Sequence, residues 1–492
     1  MVLWEPMEVR IEKFNEVYLR IKTEPAIAKE LSEFFTFEVP NASFMPSVRN
    51  RLWDGRIRLF SPATGKIYVG LFPYIKKFCE RQGYRIETVD SKFYGRPYIE
   101  RDIGKGLVKK FVNKISKGIK VRDYQLDAIH HIINNDRGLI LSPTGSGKSF
   151  IIYALVRYYV EILSDTKVLI VVPTTSLVEQ LYSDFAEYKW FPDVHCHKLY
   201  AGSDKNTSKD VVISTWQSIF KLPKSYFKQF GAVFIDECHL AKAKSLTGIM
   251  TKLHDCKFRV GTTGTLDGIE VHQLVLEGLF AKCEQVTTTS KLIEDKHLSN
   301  LHIRCLVLKH PKHKRIPRSY DLELDLLALD ESRNKFIAKL VDYEEGNTLV
   351  LCRYIAQLDN LIDLLSNSDK EIYKVYGKTP TEDRENIRHL VERGENVIII
   401  ASYGVFSTGI NIKRLHNIVF GSPYKSQIKV LQSIGRGLRT AEDKKELNVF
   451  DIIDDLSYNG RDNYTLKHFK ERINLYNKEE FDYDIIPVKL HK

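Results

Sequence analysis

From Gly138 onward the chain alternates short β-rich apolar runs with stretches of helical periodicity. Leu139-Ile140-Leu141, Val168 to Val172, Val211-Val212-Ile213 and Val233-Phe234-Ile235 each lead into polar or glycine-bearing turns, the pattern of strands buried on both faces of a parallel sheet. Residues 150–163 space Ile151, Ala154, Leu155, Tyr158 and Ile162 three or four apart, which predicts a crossover helix with one buried stripe. The same alternation resumes after about Asp330, with strands expected at residues 348–351, 372–375, 397–401 and 418–420. Two α/β domains in tandem follow.

The flanking segments differ. Residues 281–329 hold Thr287-Thr288-Thr289 and a basic run with Pro311 and Pro317, and read as a connector. Residues 1–110 mix polar and aromatic positions and carry breakers at Pro25, Pro40, Pro46, Pro62 and Pro73, which suits a small separate α+β domain. The tail holds one helical pattern over residues 464–476, expected to pack on the second α/β domain. The expected order is therefore 1–110, an N-terminal α+β domain; 111–290, the first α/β domain; 291–329, a connector; 330–460, the second α/β domain; and 461–492, a helical extension.

Composition narrows the class. The 492 residues are 43% hydrophobic and 28% charged, with no apolar run near the length of about 18 residues that a membrane helix needs. Glu5, Pro6 and Glu8 stand where a signal peptide would be basic and then apolar. Seven scattered cysteines show no zinc spacing and suit a reducing compartment, so a cytoplasmic protein is expected. Lys and Arg number 74 against 63 Asp and Glu, a net charge of +11 that favours a polyanionic partner without identifying one.

Candidate chemistry begins at Ser142-Pro143-Thr144-Gly145-Ser146-Gly147-Lys148-Ser149, between an expected strand and an expected helix. In that context Gly145 and Gly147 let the backbone curl so that its N–H groups, and the positive end of the following helix, face phosphate oxygens. Lys148 then neutralises terminal phosphates and the Ser149 hydroxyl holds Mg2+. Ser142 departs from the glycine that opens the strict pattern. Asp236-Glu237-Cys238-His239 closes another apolar strand, where Asp236 can hold Mg2+ and Glu237 can orient or deprotonate the attacking water. An acidic pair there could also merely cap a helix. In the second α/β domain, Gln432, Arg436 and Arg439 stand in Gln-Ser-Ile-Gly-Arg-Gly-Leu-Arg, and the two guanidiniums can grip the charge spread over a transferring phosphoryl group.

The ordered set of phosphate loop, Asp-Glu-Cys-His, Thr263-Gly264-Thr265 and Gln-x-x-Gly-Arg-x-x-Arg resembles superfamily 2 helicases of the DEAH/DExH branch, over roughly residues 119–456. The resemblance implies two RecA-like domains and ATP with Mg2+ as cofactors, bound by Pro143, Thr144, Gly145, Ser146, Gly147, Lys148 and Ser149. It further implies an adenine-contacting role for Arg122 and Gln125 in Arg-Asp-Tyr-Gln. Strand contacts are implied for Thr174 and Thr175, for Thr215, for Arg353 and for Thr408, and coupling of ATP to movement for His239, Thr263, Thr265 and Gly409. The N-terminal Trp-Asp-Gly-Arg-Ile-Arg-Leu (residues 53–59), Ile75-Lys76-Lys77-Phe78-Cys79 and residues 401–410 are similar to phage recombination helicases, which implies branched DNA with single-stranded regions as partner, and branch migration and fork or displacement-loop remodelling as activity. Recombination or single-strand-binding proteins are further possible partners by that likeness.

Read by themselves, Arg56 and Arg58 point to one face of a strand beside Trp53 while Ile57 and Leu59 pack on the other. Such a face can track phosphates while an aromatic stacks on a base, or can be a solvated sheet face with Trp53 in the core. An RNA helicase and the motor subunit of a restriction system remain the alternatives to a DNA helicase, since the ATP motifs do not distinguish the sugar.

Overall fold

The computed structural model describes residues 8–40, 42–97, 101–163, 166–200, 202–239, 244–266, 268–310, 317, 319–406, 412–423, 426–441 and 443–490. The chain divides at Val286 and Thr287 into two compact units, with the four residues Pro143–Ser146 grouped with the second.

The first unit carries a seven-stranded sheet in the order Cys283–Gln285, Arg137–Leu141, Phe258–Thr263, Ala232–Asp236, Val168–Val172, Val211–Thr215, Cys196–Leu199. Every pairing in it is parallel. Five consecutive positions from Val168 to Val172 are all buried, as strands covered on both faces require. The crossover helix expected over residues 150–163 spans Lys148–Glu161, two residues earlier, and more than one stripe of it is buried. Phe150 through Arg157 are all covered, whereas Ile162 is 54% exposed. The reason is a second layer: helix Lys105–Ser116 lies over it, with Phe111 edge-on to Tyr158 and the Tyr153 hydroxyl donating to the Ile115 carbonyl at 3.2 Å.

The N-terminal part of this unit is a mixed four-stranded sheet, Lys66–Tyr68, Tyr18–Lys22, Glu8–Lys13, Arg85–Val89, with helices Pro25–Phe34 and Phe72–Gln82. It is fastened to the parallel-sheet part. Leu274 and Val275 of helix Glu270–Leu279 enter its core, and Tyr74 donates to Glu277. A Cβ on Gly70 would fall 1.9 Å from the Glu277 carbonyl oxygen, so only glycine permits this backbone approach. Glu16 is 5% exposed and ties the seam electrostatically. Its carboxylate accepts from Lys13 at 2.9 Å and Arg137 at 3.1 Å, and its carbonyl accepts from Arg137 at 3.1 Å and Arg259 at 3.3 Å.

The second unit holds another seven-stranded sheet, in the order Ile372–Val375, Ile398–Ser402, Thr348–Cys352, Asn417–Phe420, Glu446–Asp455, Asn300–Lys309, Tyr483–Lys489, again all parallel. Two segments differ from the sequence expectation here. Residues 291–329 include the ten-residue strand Asn300–Lys309, which is an interior strand of this sheet, and the helix Tyr320–Leu329, whose fully buried Glu323 accepts from Asn463 Nδ2, Tyr464 N and Thr465 N at 2.7, 2.9 and 2.7 Å. The tail beyond residue 461 adds the edge strand Tyr483–Lys489 to its helix Tyr464–Lys478. In both cases the alternating pattern was diluted by His302, Arg304 and Asp484, which pair or point outward and leave Ile303, Cys305 and Leu308 inside. The helix Tyr464–Lys478 docks through Arg472, which grips Asp451 with Nε and Nη2 at 2.8 and 2.9 Å.

Candidate nucleotide site and nucleic-acid surface

The loop from Ser142 to Lys148 joins strand Arg137–Leu141 to helix Lys148–Glu161. Gly145 and Gly147 have φ of 84° and 81°, the left-handed region that favours glycine, and they turn the chain tightly into the helix. Ser146, fully buried, donates its hydroxyl to the Pro143 carbonyl at 2.6 Å, and Lys148 Nζ reaches back to the Ser142 carbonyl at 3.0 Å. Gln125 belongs to helix Asp123–Asn135, where its side-chain oxygen accepts from the Arg122 N–H at 3.0 Å. Its amide lies where a Cβ on Gly147 would fall, 2.4 Å away, so Gln125 sits against the loop. Arg122 turns to the Tyr124 hydroxyl at 2.6 Å.

Asp236 ends its strand two sheet positions away, beside Thr262 in register. Thr262 donates to Asp236 Oδ1 at 2.8 Å. Burial raises the Asp236 pKa above the usual carboxylate range, and Glu237 adds to the shift; Lys148 and the Thr262 bond oppose it. Glu237 stands at φ 51°, a backbone strain for a residue with a Cβ, which turns it out of the strand line. His239 contacts Glu237 at 3.3 Å and Thr263 Oγ1 at 3.0 Å, and Thr263 Oγ1 in turn donates to the Thr265 carbonyl at 2.9 Å. Asp236, Glu237, His239, Thr263 and Thr265 thus form one connected group, with Lys148 and Ser149 at the neighbouring loop. Thr262 is missing from the sequence reading; only strand register, which one sequence does not display, reveals it.

The expected strand-contacting residues separate into two kinds. Thr175 is exposed at the start of helix Thr175–Glu187, and Arg353 is exposed beside Asp321, at 3.4 Å, and over the Tyr320 and Tyr354 rings. The other two hydroxyls face inward contacts. Thr174 caps that helix through a bond from Leu177 N at 3.3 Å, and Thr215, 5% exposed, shares its hydroxyl with Ser218 at 2.9 Å. Thr408 and Gly409 lie outside the described residues. Gln432 and Arg436 are half-buried on helix Gln427–Gly437, and Arg439 lies two residues past its end.

In the N-terminal domain, Arg56 and Arg58 share an exposed face with Ile57 turned inward, as expected. Both arginines carry carboxylates: Arg56 pairs with Glu38 across the two-stranded sheet at 2.9 Å, and Arg58 pairs with Asp54. Exposed pairs of this kind are worth little and exchange readily for another anion. Trp53 is half-buried and donates Nε1 to the Arg56 carbonyl at 3.0 Å, which makes it a brace for that strand. The sequence reading overlooked Phe44 and Leu52 nearby, 78% and 81% exposed, flanked by exposed Arg49 and Arg51. Among the described residues no group of histidine, cysteine, aspartate and glutamate has metal-site geometry, and no helix is long and apolar enough to cross a membrane.

Comparison with known proteins places this arrangement. Residues 118–268 match the family described as type III restriction enzyme, res subunit, residues 332–441 match the helicase conserved C-terminal domain, and residues 7–90 match the N-terminal domain of DNA helicase UvsW. The chain is 35% identical over 505 residues to the ATP-dependent DNA helicase uvsW of Enterobacteria phage T4, covering 98% of this chain and 100% of that one. The crystal structure of T4 UvsW aligns with 99% of this chain and 100% of its own at 33% identity and a TM-score of 0.51. A fragment of a putative HsdR subunit of a type I restriction enzyme from Vibrio vulnificus shares the fold at 19% identity, with a TM-score of 0.58 over 89% of this chain and 77% of that one. With tandem RecA-like parallel sheets and the N-terminal domain matched along nearly its whole length, the chain belongs to the UvsW family of superfamily 2 helicases.

Proposed function

We propose that the protein is an ATP-dependent DNA helicase that remodels branched DNA, migrating junctions and processing forks and displacement loops in recombination, repair and replication. The observation that carries the ATP part of this reading is the convergence of Gln125, Lys148 and the Asp236–Glu237 pair on the glycine loop, at the ends of two strands that flank Phe258–Thr263 in one parallel sheet. Gln125 and Arg122 read the adenine, and the loop N–H groups of Thr144 to Ser149 cradle the phosphates. Ser149 and Asp236 offer the hard oxygen ligands that Mg2+ prefers, and the raised Asp236 pKa marks a buried acidic pair whose repulsion a divalent cation relieves. When bound, that ion neutralises charge on the phosphate oxygens. Glu237, with His239 3.3 Å away, orients or deprotonates the attacking water. Arg436 and Arg439 stabilise the charge on the transferring phosphoryl group. Through His239 and the Thr263–Thr265 turn, with Gly409, the state of the phosphates is passed to the strand-holding residues.

Thr175, Arg353 and Thr408 contact the strand backbone, with Thr174 and Thr215 fixing the helix starts beside it. Such contacts carry no sequence information. In the N-terminal domain Arg56 and Arg58 exchange their carboxylates for duplex phosphates, with Trp53 holding their strand. The working compartment is the host cytoplasm, and single-strand-binding or recombination proteins act with it.

The test compares one preparation on a Holliday junction, a fork, a linear duplex and tailed RNA. ATP-dependent processing of the branched DNA is expected, and a Lys148→Ala protein should lose DNA-stimulated hydrolysis. Success on tailed RNA with failure on both branched substrates would overturn the reading.

A further inference from the structure

The backbone leaving the arginine helix is tied down at three consecutive carbonyls. Helix Gln427–Gly437 closes its last turn with the Leu438 N–H on the Ile434 carbonyl at 2.9 Å, and Leu438 stays right-handed where many helices end on a left-handed glycine. Beyond that turn, the Gly437 carbonyl accepts from Lys444 Nζ, and the Leu438 carbonyl accepts from the Ser299 N–H at 2.8 Å. The Arg439 carbonyl accepts from Lys444 Nζ at 3.1 Å and from the Ser299 hydroxyl at 3.4 Å. Gly437 packs directly on the sheet, since a Cβ there would meet Ile418 Cδ1 at 2.6 Å and Leu447 Cδ2 at 2.8 Å. Arg436 and Arg439 bracket this stretch, so the tie fixes where both side chains start.

A buried lysine is an expensive way to finish a helix. Lys444 is 4% exposed and Ser299 is 4% exposed. Burial pushes the Lys444 amine down to about 7, because the neighbouring Asp443 offsets only part of the desolvation. Asp443 is engaged elsewhere, with Arg414 Nε at 2.9 Å and with His416 at 3.6 Å. An apolar residue of similar length would bury at lower cost, as replacements of buried charges in other proteins show. What a methionine could not do is hold the Gly437 and Arg439 carbonyls together.

We propose that Lys444, assisted by Ser299, is a positioning residue for hydrolysis that fixes the backbone carrying Arg436 and Arg439. This rests on the phosphoryl-stabilising role proposed above for those arginines. Loss of the tie leaves nucleotide binding intact and slows the chemical step, because the guanidiniums act on charge that develops only in the transition state.

The experiment measures DNA-stimulated ATP hydrolysis and thermal melting for wild type, Lys444→Met, Ser299→Ala and Arg439→Ala. Lys444→Met should lose at least about tenfold in kcat with KM for ATP within about twofold and with no drop in melting temperature. Ser299→Ala should lose about two- to fivefold in kcat. Wild-type kcat in Lys444→Met, or a rise in KM that accounts for the whole loss, overturns the inference. Should Lys444→Met fail to fold, Ser299→Ala decides: unchanged kcat in a folded Ser299→Ala protein sinks it. If Arg439→Ala keeps full activity, the arginine role itself falls; if Arg439→Ala is dead while Lys444→Met is normal, the positioning role alone falls.

Discussion

Gln125 occupies the space that a side chain on Gly147 would need, with its amide nitrogen 2.4 Å from the site of that missing Cβ. Replacing Gly147 by alanine therefore adds a collision to the strain of a left-handed backbone at φ 81°, worth about 1–2 kcal/mol. The Gly147→Ala protein should bind ATP at least about tenfold more weakly while keeping its fold, with a melting temperature lowered by a few degrees. Nucleotide titration and a thermal melt read the two effects separately, and an unchanged KM for ATP would contradict the site.

The Thr262 hydroxyl bond favours the ionised form of Asp236, against burial and the Glu237 charge that raise its pKa. The activity needs the carboxylate, so it is lost as pH falls through that raised pKa. Thr262→Val removes a donor to the charged form and raises the pKa further. The acid limb of the kcat/KM profile should then move toward neutral pH. A limb that stays in place would show that Asp236 does not govern it.

Glu16 holds the N-terminal sheet on the first parallel sheet through Lys13 and Arg137. Its removal leaves Arg137 buried without its carboxylate, the case in which a broken buried pair costs about 3–5 kcal/mol. Glu16→Ala should lower the denaturation midpoint and open the segment before Lys105 to protease, whereas Glu38→Ala, at an exposed pair, should change stability by less than about 1 kcal/mol. Equal effects of the two would refute the seam.

Lys444 gives a pH signature to stability. Its amine titrates at about 7 when folded and near 10.5 when unfolded. Between those values the unfolded chain binds one proton more, so stability rises with pH, by up to about 1.4 kcal/mol per unit, and below about 7 this contribution is flat. Denaturant unfolding between pH 7 and 10 should show the rise in wild type and a shallower profile in Lys444→Met. Parallel profiles would mean that the amine is not buried.

Much of the motor could be read from the chain because its signals are local. A strand followed by Gly145, Gly147, Lys148 and Ser149, and an apolar strand ending in Asp236-Glu237, depend on neighbours in sequence, where dihedral preference and strand burial act. The expectation for residues 300–309 missed because that strand is recognised by its partners: His302 meets Asp484 and Arg304 lies over Phe450, contacts that turn a mixed segment into an interior strand.

What the sequence by itself determined is the alternation of strands and helices, the phosphate loop, and the order of motifs along two parallel-sheet domains, since period, glycine freedom and charge placement are properties of adjacent residues. Tertiary structure alone decided that Thr262 steadies Asp236, that Glu16 rivets the N-terminal sheet to Arg137 and Arg259, and that Lys444 and Ser299 close the arginine helix. All of those contacts except the Lys444 bonds to its own preceding turn join residues far apart in the chain, and burial, which sets their strength, exists only once the chain has folded around them.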